Sequence, residues 1–83
     1  MILRIISIEK IVFNGTVDLV TLPGIMGSFT VLNNHAPLIT ILEPGEIIFA
    51  TGNEKKSVKI GGGMVEVRNN RVAVVLDPQA INS

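Results

Sequence analysis

Residues 61–76 read GGGMVEVRNNRVAVVL, and this stretch indicates the fold class of the whole chain. Valines recur at every second position in Met64–Arg68 and again in Arg71–Leu76. A period of two is typical of a β-strand that buries one face. The pair Asn69-Asn70 between the two runs fits a type I′ turn, because asparagine tolerates the positive φ angles that this turn requires. The sequence therefore predicts a β-hairpin here.

The same pattern continues outward over the rest of the chain. Gly, Pro or Asn interrupts the sequence about every eight to twelve residues, and the segments between are rich in Ile, Val and Leu. Ile47 and Phe49 are predicted to face one way and Ile48 the other, and no stretch of ten residues has helical periodicity. We therefore predict an all-β domain over residues 1–77, a flattened antiparallel β-sandwich of two sheets with about eight to ten short strands, followed by a short tail at 78–83.

Other local signals predict where single strands begin and end. Asn14-Gly15 is a strong signal for a turn or a bulge, and Thr16–Leu22 is predicted to form one long strand. Pro23-Gly24 is expected to end that strand, so that the following segment is a loop of mixed character. Within this segment Phe29 and Val31 alternate, and they are predicted to pack inward as part of a strand.

Ile25 and Met26 lie in the turn of this segment, between two glycines. Loops run over protein surfaces, so apolar side chains in a turn either fold back into the core or contact another molecule. A methionine side chain is flexible and adapts to irregular surfaces. We therefore predict that Ile25 and Met26 contact a partner protein.

Composition excludes several classes of function. The chain has 83 residues, which is enough for one domain, with seven basic and seven acidic residues, no Cys and one His. A nucleic-acid-binding protein would be expected to carry a basic stripe, and none is visible. With His35 alone and no Cys there is no metal-ligand spacing and no nucleophile–base pattern. We predict no catalytic, cofactor-binding or metal-binding residue, and a structural or interface role for His35.

Two further segments were considered for special roles. The apolar run Met1–Ile8 is interrupted by Arg4, is too short to span a bilayer and lacks a signal-peptide cleavage pattern, so a soluble chain that is not exported is expected. Gly61-Gly62-Gly63 resembles a phosphate loop only superficially, because a strand follows it instead of a helix with a Lys. These glycines are predicted to allow two backbones to approach closely or the chain to cross between sheets.

Several segments together resemble one known family. They are Phe13–Val17, Val20–Gly24, His35–Gly45, and Gly62–Val67 with Val72–Asp77, in this order. The His-Ala-Pro-Leu start of the third segment and the Gly-Gly-x-x-Glu-Val pattern of the fourth are specific in combination. The resemblance covers essentially the whole chain, which is similar to the ε subunit of F-type ATP synthases (δ in mitochondria).

The resemblance implies a non-catalytic subunit in the central stalk of a proton-translocating rotor. In this family the N-terminal domain is a flattened two-sheet β-sandwich that lies against the γ subunit and on the polar loops of the c-ring. It helps to tie the rotation of the ring to the shaft, and so ion flow to ATP synthesis. The resemblance also implies a peripheral position on the cytoplasmic side of a bacterial inner membrane, with membrane association only through the complex.

The positions of family contacts can be carried over to this chain. The loop that faces the c-ring corresponds to Gly27, Ser28 and Phe29, next to Ile25 and Met26. The side that faces γ corresponds to His35, Thr40 and Glu46. No cofactor and no nucleic-acid partner is implied.

Two features depart from the family pattern. The family usually has one or two acidic residues in the ring-facing loop, where this chain has Ile25, Met26 and Ser28, so an apolar and hydrogen-bonded contact is expected. Most bacterial relatives continue past the sandwich into a helical hairpin that inhibits ATP hydrolysis and in some cases binds ATP. This sequence ends at Ser83, and those regulatory functions are not assigned to it.

Two other functions remain as alternatives. The first is a free-standing β-sandwich that binds a small ligand or a carbohydrate, for which exposed aromatic residues and a polar cluster would be expected. The second is a nucleic-acid-binding barrel, which the absence of net charge disfavours.

Overall fold

The computed structural model describes residues 1–78, and every regular element in that part of the chain is a β-strand. The nine strands are β1 (Ile2–Ile6), β2 (Ile11–Thr16), β3 (Leu19–Gly24), β4 (Gly27–Leu32), β5 (Leu38–Leu42), β6 (Gly45–Thr51), β7 (Glu54–Ile60), β8 (Gly63–Arg68) and β9 (Arg71–Leu76). The predicted all-β class and strand number are therefore confirmed. Most of the predicted tail lies outside the described residues.

The strands form one curled sheet in the order β2-β1-β9-β8-β5-β3-β6-β7, and β4 pairs with β3. We call β2-β1-β9-β8-β5 the first layer and β4, β3, β6 and β7 the second layer. The layers are joined between β3 and β5 through a single residue pair, Gly24 with Leu42. All pairings are antiparallel, as predicted, except that of β1 with β9, so the sheet is mixed. These two strands are far apart in the chain, so no tight turn constrains their relative direction.

Alternate side chains of both layers fill one common core. The fully buried members include Leu3, Ile5, Val20, Leu22, Val31, Ile47, Val65, Val67, Val72 and Val74. The Phe13 ring on β2 and the Phe49 ring on β6 have their centroids 4.4 Å apart, which joins the two layers. The prediction that Ile47 and Phe49 face the same way is confirmed, and the structure shows that both are buried in the core. No polar side chain of residues 1–78 is fully buried, so apolar burial is the main source of stability.

The first hairpin differs from the sequence prediction. Asn14-Gly15 lies inside β2, paired with β1, and is not a turn. The turn lies earlier in the chain, at residues 7–10 between β1 and β2. There the Ser7 backbone NH donates to the Lys10 carbonyl at 2.9 Å. The Ser7 hydroxyl accepts from the Lys10 backbone NH at 3.3 Å, so the serine side chain stabilises the turn. The register shifts between Ile5 and Ile6, whose partners Phe13 and Ile11 leave Val12 as an extra residue, so the β-bulge lies in β2.

The predicted long strand Thr16–Leu22 is also wrong, because it contains a corner. β2 ends at Thr16 and β3 begins at Leu19, with a buried Val17 between them. The Asp18 carboxylate accepts a hydrogen bond of 2.8 Å from the Gly52 backbone NH and fixes the corner. The apolar residues of this segment change from odd positions (Val17, Leu19) to even ones (Val20, Leu22), and this change reflects the passage from one strand to the next.

The stretch 61–76 folds as predicted. Asn69 and Asn70 have φ angles of 51° and 59°, as a type I′ turn requires. A Cβ atom on Gly63 would overlap the Val75 carbonyl oxygen and lie 3.1 Å from Leu76 Cα. The prediction of a close backbone approach is confirmed at this glycine.

Gly63→Ala is therefore expected to destabilise the domain by about 1–3 kcal/mol, because the backbone of β9 must shift. Gly61→Ala is the matched control, since a Cβ there meets nothing within 4 Å. It should change the free energy of unfolding by less than about 0.5 kcal/mol. Urea unfolding followed by circular dichroism measures both. Equal effects of the two substitutions would contradict the close approach.

Candidate partner-binding surface

The hairpin of β3 and β4 carries the predicted contact residues at its tip. The strands stay paired up to Gly24 and Gly27, so the turn consists of Ile25 and Met26 alone. The predicted loop is thus mostly strand. Pro23 is tolerated in β3 because the pairing with β6 ends at Thr21, so its missing NH removes no bond of that ladder. Gly27 supplies a φ of 129°, which other residues rarely adopt.

The tip is apolar and exposed. Met26 is 94% exposed and Ile25 is 54% exposed. Gly27 and Ser28 are exposed beside them, whereas Phe29 packs partly against the core. The structure therefore brings Ile25, Met26, Gly27 and Ser28 together at the exposed tip of the β3–β4 hairpin. This hairpin tip can pack its apolar side chains against another protein, and the Ser28 hydroxyl beside them can form a hydrogen bond with it.

Hydrogen bonds hold the β3–β4 hairpin in place next to its tip. The Ile25 backbone NH donates to the Ile41 carbonyl at 2.9 Å, and the Glu43 NH donates to the Pro23 carbonyl at 2.9 Å. The Thr21 and Thr30 hydroxyls are 2.8 Å apart across the hairpin. The apolar tip is therefore carried on a hairpin that is tied to the neighbouring strand β5.

The three predicted γ-side residues lie at separate places. His35 is half-buried in the connection between β4 and β5, with its Nδ1 atom 2.7 Å from the Ala36 carbonyl oxygen. Thr40 is half-buried in β5 on the side of the buried Leu42. Glu46 is exposed on the second layer, in register with Lys59 of β7. The structure does not gather these residues on one surface, and their contact with γ stays a prediction.

Sequence reasoning missed a larger apolar surface on the outside of the first layer. Ile39, Ile41 and Met64 are exposed there. The sequence of β5 did indicate this surface, since it reads LITIL and has large apolar residues on both faces of the strand. A strand with two apolar faces indicates cover on both sides.

The described residues line several open surface cavities, with volumes of about 240 to 460 Å³. The cavity of about 240 Å³ is lined by Phe13, Phe49, Thr51, Glu54 and Lys56. In the part of the chain that the structure describes, no group of three His, Asp or Glu side chains could hold a metal ion. The same residues form no helix that could cross a membrane.

Comparison with known proteins identifies the domain. The family described as "ATP synthase, Delta/Epsilon chain, beta-sandwich domain" matches residues 1–81. The ATP synthase epsilon chain of Dehalococcoides mccartyi is 44% identical over 75 residues, which are 90% of this chain and 54% of that protein. The epsilon chain of Leptospira borgpetersenii is 39% identical over 93% of this chain and 61% of its own length. The chain thus spans little more than half the length of these relatives.

Solved structures show the same fold. A chain in the cryo-EM structure of the Euglena gracilis mitochondrial ATP synthase with F1 and c-ring superposes with a TM-score of 0.86, at 23% identity, over 92% of this chain and 49% of that one. A chain in the central stalk and c-ring of the Tetrahymena thermophila mitochondrial enzyme gives 0.78, at 17% identity, over 90% of this chain and 61% of that one. The match over residues 1–81 and the identity of about 40% to epsilon chains show that this chain belongs to the δ/ε family of ATP synthase subunits.

Proposed function

We propose that the chain is a non-catalytic subunit of the central stalk of a proton-translocating F-type ATP synthase, located between the γ subunit and the c-ring. The observation that carries this proposal is the match of the family's sandwich domain to residues 1–81. The matched solved structures are mitochondrial ATP synthase assemblies that both include the c-ring, and one of them is a central stalk with its c-ring. The complex would be attached to the cytoplasmic side of a bacterial inner membrane.

The geometry is suited to a mechanical role. A subunit that transmits rotation must not deform between its two contacts, and nine paired strands around one core provide a stiff body. Ile25 and Met26 at the tip of the β3–β4 hairpin would contact the polar loops of the ring with their apolar side chains, and Ser28 would add a hydrogen bond. The coupling of ring rotation to the γ shaft would then depend on side-chain packing at this tip, and no chemical step would take place in the domain.

Co-purification tests the proposal. The tagged chain is expressed with the γ and c subunits of the same enzyme and isolated in mild detergent. We expect γ and the c-ring to be recovered with it in fixed proportion, as for a stalk subunit. Recovery of the chain alone, at protein concentrations in the micromolar range, would contradict the proposal.

A further inference from the structure

Three strands of the sheet have a neighbour on one side only. Within residues 1–78, β2 pairs with β1 alone, β4 with β3 alone and β7 with β6 alone. The free side of such an edge strand presents backbone NH and CO groups that can pair with a strand of another chain. Proteins commonly protect edge strands with lysines, bulges or proline. The three edges of this domain can therefore be compared for such protection.

Two of the three edges are protected. β7 carries three lysines, Lys55, Lys56 and Lys59. β2 contains the bulge at Val12, which interrupts regular pairing. The Thr16 carbonyl at the end of β2 also accepts a hydrogen bond of 2.8 Å from the Thr51 hydroxyl, so this acceptor is already occupied. Neither edge offers a regular and uncharged ladder to a second chain.

The free side of β4 has no protection of these kinds. Gly27–Leu32 has no charged side chain and no proline, and its ladder with β3 has no register shift. Ser28, Thr30 and Leu32 are exposed. Short segments with high β-propensity and no charge readily pair with other strands when they lie at the edge of a sheet. We call the free side of this strand the β4 edge.

Hydrogen bonds of the neighbouring strand β3 show which backbone groups form the β4 edge. The Pro23 carbonyl and the Ile25 NH are both bonded on the side of β5. Backbone groups alternate between the two sides of a strand, so those of Gly24 point towards β4, where Gly27 is the partner. The same alternation continues along β4, where every second residue points away from β3.

Three residues of β4 therefore direct their NH and CO groups to the free edge: Ser28, Thr30 and Leu32. The Leu32 carbonyl accepts a hydrogen bond of 3.2 Å from the His35 NH. Three residues provide six groups and one of them is bonded, so within residues 1–78 five remain for a second strand. The β4 edge can therefore accept a further strand along most of its length.

We propose that two copies of the free chain associate through their β4 edges, in an antiparallel pairing around a two-fold axis at Thr30. In this register Thr30 lies opposite Thr30 of the second copy, Phe29 opposite the second copy's Val31, and Ser28 opposite the second copy's Leu32. A two-fold interface uses the same patch on both copies, and here it joins the two second layers into one continuous sheet. The inference does not rest on the proposed function, since it concerns the chain before assembly.

The side-chain pairs across this interface are favourable. Phe29 is half-buried at the edge of the core, and in the dimer it faces a β-branched valine. Thr30 faces a second threonine, and both kinds of pair stabilise antiparallel strands. A charged residue at the axis would meet its own copy and repel it, but Gly27–Leu32 carries no charge.

The sequence of β4 matches itself in this register, which favours a second copy over a strand of a different protein. Antiparallel pairing is more stable than parallel pairing, and it points the two hairpin tips in opposite directions. Both tips cannot then meet one c-ring, so the dimer belongs to the free chain and has to dissociate before assembly. Pairing of one short strand buries less surface than a permanent interface, so the dimer is weak and reversible.

Sedimentation equilibrium of the full chain, from micromolar to millimolar concentration, measures the dissociation constant of the dimer. Thr30→Pro removes the NH at the two-fold axis and leaves the ladder with β3 intact, because that NH points away from β3. The axis relates two copies, so two hydrogen bonds are lost at once and the dissociation constant should rise about tenfold or more. Thr30→Val is the matched control, since it removes the hydroxyl and keeps both the NH and the branched shape. It should change the constant less than about threefold.

Two further variants separate the β4 edge from the rest of the sheet. Ser57 lies on β7, and its NH points to the free side of that strand by the same alternation, counted from the pair Thr51 and Glu54 at the turn. Ser57→Pro should therefore leave the dimer unchanged. Thr30→Lys places two like charges at the axis and should abolish the dimer without unfolding the chain, since Thr30 is exposed. Circular dichroism confirms that each variant is folded.

Amide hydrogen exchange tests the wild-type chain without any substitution. The exchange of the Ser28 and Thr30 amides, followed by NMR, should slow as the protein concentration rises, because these amides become paired in the dimer. The Ser57 amide on the protected β7 edge should exchange at a rate that does not depend on concentration.

Each result decides for or against the dimer. A chain that stays monomeric at millimolar concentration, or a dimer that Thr30→Pro leaves intact, would overturn the inference. Protection of the Thr30 amide that appears only when the γ and c subunits are added would show that the β4 edge binds another subunit and not a second copy. The stalk assignment stands in each of these cases, because co-purification tests it separately.

Discussion

An ATP synthase that carries Ile25→Asp together with Met26→Asp should hydrolyse ATP in its soluble head and pump ions poorly. Both side chains lie in an exposed two-residue turn, so the free energy of unfolding should change by less than about 1 kcal/mol. This chain has apolar side chains where the family usually has carboxylates, so the ring that it contacts is expected to offer no basic partner at this position. Two carboxylates at a packed contact would then lose water without gaining partners. Such a loss costs several kcal/mol, and about 1.4 kcal/mol already corresponds to a tenfold change in affinity. The two measurements are ATPase activity and ATP-driven acidification in membrane vesicles.

Leu32→Asp provides the matched control for this pair. Leu32 is 57% exposed and lies at the other end of the same hairpin strand, β4. This variant also places a carboxylate at an exposed apolar position, but far from the tip, and pumping should stay close to that of the wild type. Normal pumping by a folded double variant would show that the tip does not contact the ring. Unfolding of the double variant would show instead that these side chains support the core.

Much of the fold was predictable because strand periodicity is a local signal. The alternation in β8 and β9 and the Asn69-Asn70 turn need only near neighbours, and the structure confirms them. Asn14-Gly15 was misread because an Asn-Gly pair forms a hairpin only when the segments on its two sides pair with each other. Here β2 pairs along its whole length with β1, and the Ser7 hydroxyl stabilises an earlier turn.

The candidate surface was predictable only in part. The exposure of Ile25 and Met26 followed from two apolar residues between glycines, although their predicted loop was too long because strand pairing continues to Gly24. The apolar outward side of the first layer was missed for a physical reason. The sequence LITIL shows apolar residues on both faces of a strand, but only the sheet order reveals that residues 1–78 leave one of those faces uncovered.

The γ subunit should stabilise the domain strongly. A core of this size supplies only about 3–5 kcal/mol, and here it contains no buried polar network within residues 1–78. A partner that binds only the folded state adds stability by mass action, about 2.7 kcal/mol when its concentration is a hundred times the dissociation constant. For a domain of this length each kcal/mol raises the melting temperature by about 4–8 °C. The expected rise is therefore roughly 10–20 °C.

A thermal melt of the full chain with increasing amounts of purified γ tests the central claim most directly. The melting signal should report on this chain alone and not on γ. Infrared spectroscopy of an isotope-labelled chain mixed with unlabelled γ meets this requirement. Our account predicts a melting temperature that rises with γ concentration until γ itself unfolds, and no rise with an unrelated protein of similar size and charge. An unchanged melting temperature with γ in large excess would contradict the assignment of this chain to the stalk.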